Sequence, residues 1–301
     1  MPLSPKNRRG WIWVLLAYVA AGIVSVLVTQ SAPDSWHPLL VILAADVAAA
    51  VAVFLFSLGF NNSSIYDPYW SVAPIVIAGY LIAQAEVNAC LIRQLMVFGV
   101  ICTWGGRLTF NWWRQWTDMG HEDWRYLQLK QQTGKAYWLV SFTGIHLFPT
   151  VLVYLACLSL YPALDSQNSP FNFLDVVGFV VCGIAIWIEA SADKQLYRFV
   201  NTKPAPGTTL KSGLWRYCRH PNYLGEIMFW WGIFFFALAS GWHNWWYIIG
   251  PIAINALFMF ISIPMHEKRS LARRPNYAEH MQRVPRLLPR LSDLIVRRSA
   301  Q

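Results

Sequence analysis

Long apolar runs separated by short polar breaks dominate the pattern of this chain. Residues 11–29 and 39–60 each supply about 20 consecutive, mostly apolar positions, the length a helix needs to cross hydrocarbon. Residues 137–161, 173–188 and 245–264 read the same way, and residues 224–239 form a further candidate. Two shorter or weaker runs lie at 72–83 and 95–110. The pattern predicts an all-α bundle of seven or eight transmembrane helices, in which 72–83 is the weakest span. The run beginning at Trp11, behind Lys6, Arg8 and Arg9, is too long for a cleaved leader and has no small-x-small ending. It reads as a retained first helix.

Composition agrees with the pattern. The 301 residues are 56% hydrophobic and 13% charged, against about 25% charged in soluble domains. Charge placement then suggests an orientation. With eight crossings started from the inside, the inner segments take Lys6, Arg8 and Arg9, the cations from Arg107 to Lys135, those from Lys194 to Arg219, and the tail from Lys268 to Arg298. The outer loops near Pro33, Pro162 and His243 take none, and of the 24 Lys and Arg only Arg93 falls towards the outer face. This is the asymmetry of the positive-inside rule. The net charge of +9 therefore reports membrane orientation and not nucleic-acid binding. Both termini are expected in the cytoplasm, with the bacterial inner membrane as the bilayer. The basic and aromatic residues Trp112, Trp113, Trp116, Arg297 and Arg298 read as interfacial anchors. The five cysteines show no paired spacing, and neither a CxxC, a His/Cys metal cluster nor a GxGxxG fingerprint is present. No metal is expected.

Polar side chains collect in three segments assigned to the cytoplasmic side: 107–135, 189–226, and the tail from His266. The densest is Arg219-His220-Pro221-Asn222-Tyr223-Leu224-Gly225-Glu226, at the mouth of an apolar run. Groups of this kind beside hydrocarbon are costly unless paired or holding a ligand. Pro221 and Gly225 bring backbone close to a bound group. The Asn222 carboxamide suits another carboxamide or a ribose, Glu226 falls one helical turn further on the same face, and the nearby Arg219 and His220 would meet phosphate. The inventory suits a dinucleotide in a membrane-embedded cavity open to the cytoplasm. Asp46 and His146, lone polar groups inside apolar runs, are as compatible with local pairing as with function.

The stretch from Gly213 to Glu226 resembles the carboxy-terminal signature of the steroid 5-alpha-reductase-like membrane proteins and of the related sterol reductases, in which RHPNYLG is followed by an acid. The resemblance extends to Glu189-Ala190-Ser191-Ala192-Asp193-Lys194-Gln195-Leu196 and, downstream, to Glu267, to Arg273-Arg274-Pro275-Asn276-Tyr277 and to Pro285-Arg286-Leu287-Leu288-Pro289. It covers about residues 170–290. The first half is similar to an uncharacterised bacterial branch, through Tyr66-Asp67-Pro68-Tyr69-Trp70 and Glu122-Asp123-Trp124-Arg125-Tyr126.

What the resemblance implies is one integral membrane domain over 1–301, with a substrate side at 1–135 and a cofactor-binding half at 170–290 that holds NADPH. The cofactor residues it implies are Asp193, Arg219, His220, Asn222, Tyr223, Glu226, Glu267, Arg273 and Tyr277. The implied chemistry is reduction of a carbon–carbon double bond conjugated to a carbonyl in a lipid-like, steroid- or isoprenoid-type substrate. The many cations near Lys203 and Arg273 favour the extra phosphate of NADPH. The chain departs from the family where the acid should sit: Arg107 follows Trp104-Gly105-Gly106, with no tyrosine. Asp67-Pro68 takes the place of Glu-x-Pro, which leaves Asp67, Tyr66 and Tyr69 as the catalytic candidates. Isoprenylcysteine and phospholipid methyltransferases share an RHPxYxG motif, so an S-adenosylmethionine-dependent transferase is the alternative. A transporter is disfavoured because paired broken helices and repeated halves are missing.

Overall fold

The computed structural model describes residues 5–85 and 87–289, with side chains from residue 10 onwards. The side chains of Lys6, Arg8 and Arg9, and all of Arg297 and Arg298, lie outside the described residues. The described residues are mostly helical, with a single isolated bridge between Ala89 and Gln167. The chain is a helical membrane bundle. Six described helices have the length and apolarity to cross a bilayer, not seven or eight: Gly10–Ser31, Pro38–Gly59, Trp124–Cys157, Phe173–Asn201, Pro221–Ala239 and Trp242–Arg273. The helix Tyr69–Gln84 has only 16 residues, short of the roughly 20 a span needs. The helix Leu91–Gln115 is long enough at 25 residues, but Arg93, Arg107 and Arg114 dilute its apolar character. We number the helices α1 (Pro5–Ser31), α2 (Pro38–Gly59), α3 (Tyr69–Gln84), α4 (Leu91–Gln115), α5 (Trp124–Cys157), α6 (Leu160–Asp165), α7 (Phe173–Asn201), α8 (Pro221–Ala239), α9 (Trp242–Arg273) and α10 (Tyr277–Arg283). Expected as one domain, the chain packs as two compact units, Met1–Asn168 and Ser169–Gln301.

In the amino-terminal unit α1 lies on α2 through small residues. Ala17 and Ala21 meet Ala49, Ala50 and Val53 in a buried cluster, the kind of seam that lets backbones approach when hydrophobicity alone gives no advantage in lipid. After α2 the chain turns at Asn61, whose φ of 52° is left-handed, a conformation asparagine tolerates. The turn is tied to the segment preceding α5. Asn62 donates to the carbonyls of Met119 (2.8 Å) and His121 (2.9 Å). Glu122 accepts from the Ser63 amide (2.8 Å) and from Lys130 (2.7 Å). Within α5, residues Ser141–Leu147 form a π-helical stretch, a widening often found where a helix carries a specific side chain. Here it seats the buried His146, whose Nδ1 lies 3.0 Å from the Ser141 carbonyl and whose Nε2 lies 3.1 Å from Ser57 Oγ.

The carboxy-terminal unit is built on the α7–α8 pair. A capping box starts α7: the Asn172 side chain accepts from the Leu174 amide at 3.0 Å, and Asp175 accepts from the Asn172 amide at 2.9 Å. The pair packs backbone to backbone at its glycines. A Cβ on Gly225 would stand 2.7 Å from Glu189 Cβ and 2.8 Å from the Ala185 carbonyl oxygen; one on Gly232 would stand 2.5 Å from Cys182 Sγ. This close seam fixes the start of α8. The chain beyond α10 returns there as well, with the Pro285 and Arg286 carbonyls accepting from the Arg219 (2.9 Å) and His220 (3.1 Å) amides.

Candidate functional site

Those two backbone bonds hold Arg219 and His220 at the threshold of α8, and Pro221 opens the helix where its missing N–H costs nothing. Arg219 is buried, and its guanidinium is fully engaged. Nε and Nη2 donate to Glu267 Oε1 at 2.8 and 2.7 Å, and Nη1 donates to the carbonyls of Met281 (2.9 Å) and Val284. His220 Nε2 lies 3.3 Å from the same carboxylate oxygen, and its ring stacks on Tyr223 with centroids 5.4 Å apart. Glu267 is thus the brace that locks the entry of α8 to α9.

Above this brace opens a cleft of about 170 Å³. Leu196, Phe199, Leu210 and Trp215 line one part of it, and Asn222, Tyr223, His266, Ser270, Arg274, Tyr277 and His280 supply its polar groups. Pockets that take a whole drug-sized molecule measure roughly 300–1,000 Å³, so this cleft is smaller than such a site. Asn222 Oδ1 is buried and has no hydrogen-bond partner among the described residues, an acceptor held in place for a donor the protein does not supply. Burial pushes the Tyr277 phenol above its ordinary value, with the Glu267 charge adding to it, so this phenol remains a donor. Burial, then the charges of Lys211, Arg219 and Arg274, holds His280 below the usual imidazole value. His280 is therefore neutral at pH 7, and Arg274, over the Tyr277 ring at 5.7 Å, carries the positive charge. The first turn of α8 adds the partial positive charge of a helix amino terminus.

Of the nine cofactor residues expected from the sequence, Arg219, His220, Asn222, Tyr223 and Tyr277 line this cleft. Glu267 stands behind it as the brace. Asp193 and Glu226 are not among the lining residues. Glu226 is buried on α8 and accepts from Trp230 Nε1 at 2.9 Å, so it does not share the cleft with Asn222. Arg273 is exposed, and its neighbour Arg274 takes the position in the lining. Sequence reasoning missed the roles of Ser270, Arg274 and His280. The spacing 266–270–274 was the available signal, since residues four apart share a helix face.

The catalytic candidates sit in the amino-terminal unit. Tyr66 bonds Thr150 Oγ1 at 2.8 Å, and Thr150 itself donates to the His146 carbonyl, so the Tyr66 proton points at Thr150. Tyr69 donates to both the carbonyl and Oδ1 of Asp46, each at 2.7 Å. Tyr126 donates to Asp67 Oδ1 at 2.6 Å. Both phenols offered as proton donors are already committed within the protein.

Asp67 lies between α2 and α3, and burial pushes its carboxyl up to about 6, against the opposing charge of Arg125 and the Tyr126 bond. A carboxyl raised above its unfolded value of about 3.9 binds more protons folded than unfolded. Its stabilising effect is complete below about 4, falls as pH rises to about 6, and is absent above that, a difference of at most about 3 kcal/mol. The detergent-solubilised protein is therefore expected to melt higher at pH 5 than at pH 7. Asp67→Asn, which still accepts from Tyr126, should flatten that dependence. A thermal scan against pH that gives the same slope for both proteins would contradict this.

The fold and the cleft define a polytopic helical membrane protein with a small, polar recess at the start of α8. Residues 53–284 match the family described as protein of unknown function DUF1295. The chain belongs to this family, which is steroid 5-alpha-reductase-like. It is 27% identical over 254 residues to the uncharacterized protein C594.04c of Schizosaccharomyces pombe, covering 77% of this chain and 74% of the relative. The likeness thus reaches a fungal protein. No solved structure matches.

Proposed function

We propose that this protein is a membrane-embedded, NADPH-dependent reductase of carbon–carbon double bonds conjugated to a carbonyl in lipid-like molecules. The observation that carries the reading is the buried Oδ1 of Asn222, without a hydrogen-bond partner among the described residues, on a residue that lines the same cleft as Arg274. A carboxamide oxygen so placed accepts from the carboxamide of a nicotinamide or from a ribose hydroxyl. Arg274 and the protonated Tyr277 give phosphate oxygens a charged donor and a hydroxyl donor. The neutral His280 accepts or donates without adding charge. When bound, the nucleotide would supply hydride. The chain's part is to hold the nucleotide, keep its reactive end out of bulk water and provide a proton to the substrate. The excess of Lys and Arg in the segments assigned to the inside supports a cleft open to the cytoplasm, where such nucleotides are found.

Thermal stability of the purified protein tests this directly. NADPH at 100 times its dissociation constant is expected to add about 2.7 kcal/mol, and Asn222→Ala should remove most of that gain while leaving the ligand-free melting point nearly unchanged. Protection by S-adenosylmethionine, with no response to NADPH, would transfer the cleft to the methyltransferase reading.

A further inference from the structure

The helix α9 is longer than a bilayer requires. Its 32 residues extend about 48 Å at 1.5 Å per residue, against about 30 Å of hydrocarbon and about 40–45 Å with both headgroup layers. Its amino-terminal end carries Trp242, Trp245 and Trp246, all exposed, an aromatic girdle of the kind that marks an interface. The carboxy-terminal end therefore leaves the hydrocarbon and passes through the other headgroup layer. Exposed positions trace that exit. Phe260, Ile261 and Pro264 are followed by Lys268 and Leu271 at the spacing of one helix face. Lys268 lies about 12 Å beyond Phe260 along the axis, far enough to carry a side chain from hydrocarbon into headgroups. Ser270 and Arg274, turned away from this stripe by the 3.6-residue period, line the cleft instead.

Charge beyond this exit is one-sided. Residues 268–286 contain six Lys and Arg against one acid, Glu279. Lys268, Arg273, Arg283 and Arg286 are exposed, and Glu279 is taken by Arg283 in an exposed pair. Leu271 and Leu288 are exposed among them. Cations interleaved with leucines next to a membrane helix suit an anionic bilayer surface, where the cations meet phosphate and the leucines enter the acyl boundary.

We infer that the outward face of residues 268–288 is a docking surface for anionic phospholipid headgroups, in the leaflet at the carboxy-terminal end of α9. The inference is independent of the nucleotide reading. Ser270, Arg274, Tyr277 and His280 line the cleft from the same stretch, so a headgroup seated outside steadies that wall and stabilises the protein.

The full chain in dodecylmaltoside, without nucleotide, is titrated with dioctanoylphosphatidylglycerol or with dioctanoylphosphatidylcholine while its melting temperature is followed. The anionic lipid is expected to stabilise the wild type at a concentration about 25-fold below that of the zwitterionic one, at about fivefold for each of Lys268 and Arg273. Lys268→Gln combined with Arg273→Gln should lose that preference. Lys203→Gln combined with Lys211→Gln, which removes two exposed cations from the segment between α7 and α8, should keep it. Equal response of the wild type to the two lipids overturns the inference, as does a Lys268→Gln, Arg273→Gln protein that still prefers the anionic one. Equal loss in both double variants overturns it too, because net charge alone would then account for the preference. Protection by polyglutamate without protection by phosphatidylglycerol would make this a face for an acidic protein, and the lipid assignment would fall.

Discussion

Replacing Glu267 with alanine is expected to cost about 3–5 kcal/mol, the largest loss from any single substitution in the carboxy-terminal unit. Its partner Arg219 has only 5% of its side chain exposed and would remain buried with its charge uncompensated, the situation that makes breaking a buried pair so destructive. The bonds from Nη1 to the Met281 and Val284 carbonyls would hold the guanidinium in place and so keep the charge buried. His220 loses its contact too, while Arg286, at 3.7 Å and half exposed, contributes little. The double variant Arg219→Met with Glu267→Met removes both charges and should recover most of the stability, although without Arg219 the cleft should bind nucleotide poorly. Thermal melts in detergent of the two proteins beside the wild type provide the check. A Glu267→Ala protein as stable as its parent would show that the brace is ornamental.

The second large effect is expected at Gly225. An alanine there would press its Cβ against Glu189 Cβ at 2.7 Å, the Ala185 carbonyl at 2.8 Å and the Glu189 amide at 3.0 Å. Two of those atoms belong to the backbone of α7 and cannot swing aside, so the helices must part. Overpacking of this kind costs about 1–3 kcal/mol, and here it acts one turn from Asn222. Gly225→Ala is therefore expected to lose NADPH protection out of proportion to its loss of stability. Gly183→Ala, on the facing helix α7, is the control. Nothing lies within 4 Å of the Cβ it would add, so the helix should gain up to about 1 kcal/mol from the better helix former. Equal behaviour of the two variants would show that the α7–α8 seam is looser than its distances imply.

The fold class was legible because it needs only local information. Apolar runs longer than a bilayer is thick have one stable conformation in lipid, in which every backbone group bonds within its own helix. The same reasoning overcounted where it lacked a threshold. Residues 72–83 were read as a weak span, and the helix they belong to, Tyr69–Gln84, ends at 16 residues, too short to cross. Leu91–Gln115 carries three arginines that break its hydropathy. Among the residues lining the cleft, Asn222 and Tyr223 were singled out because a polar group beside an apolar run is visible in one dimension, and Tyr277 through the family resemblance. Arg274 was not, since adjacent arginines look alike in sequence and only the end of α9 decides which one turns inward. Glu226 misled for the matching reason: the face of α8 it occupies belongs to Trp230, an assignment that four-residue spacing permits but does not require.

By itself, then, the sequence determined the helical membrane class, the basic segments between its apolar runs and the chemistry collected around residues 219–226, all of which follow from transfer free energies and short-range spacing. Only the tertiary structure decided which of those polar groups have partners. It turned Glu267 into a brace, committed the phenols of Tyr66 and Tyr69, and left Asn222 Oδ1 and Asp46 Oδ2 unpaired. Hydrogen-bond satisfaction depends on contacts between residues far apart in the chain, such as Asp46 with Tyr69 and Arg219 with Val284, and no local pattern encodes them.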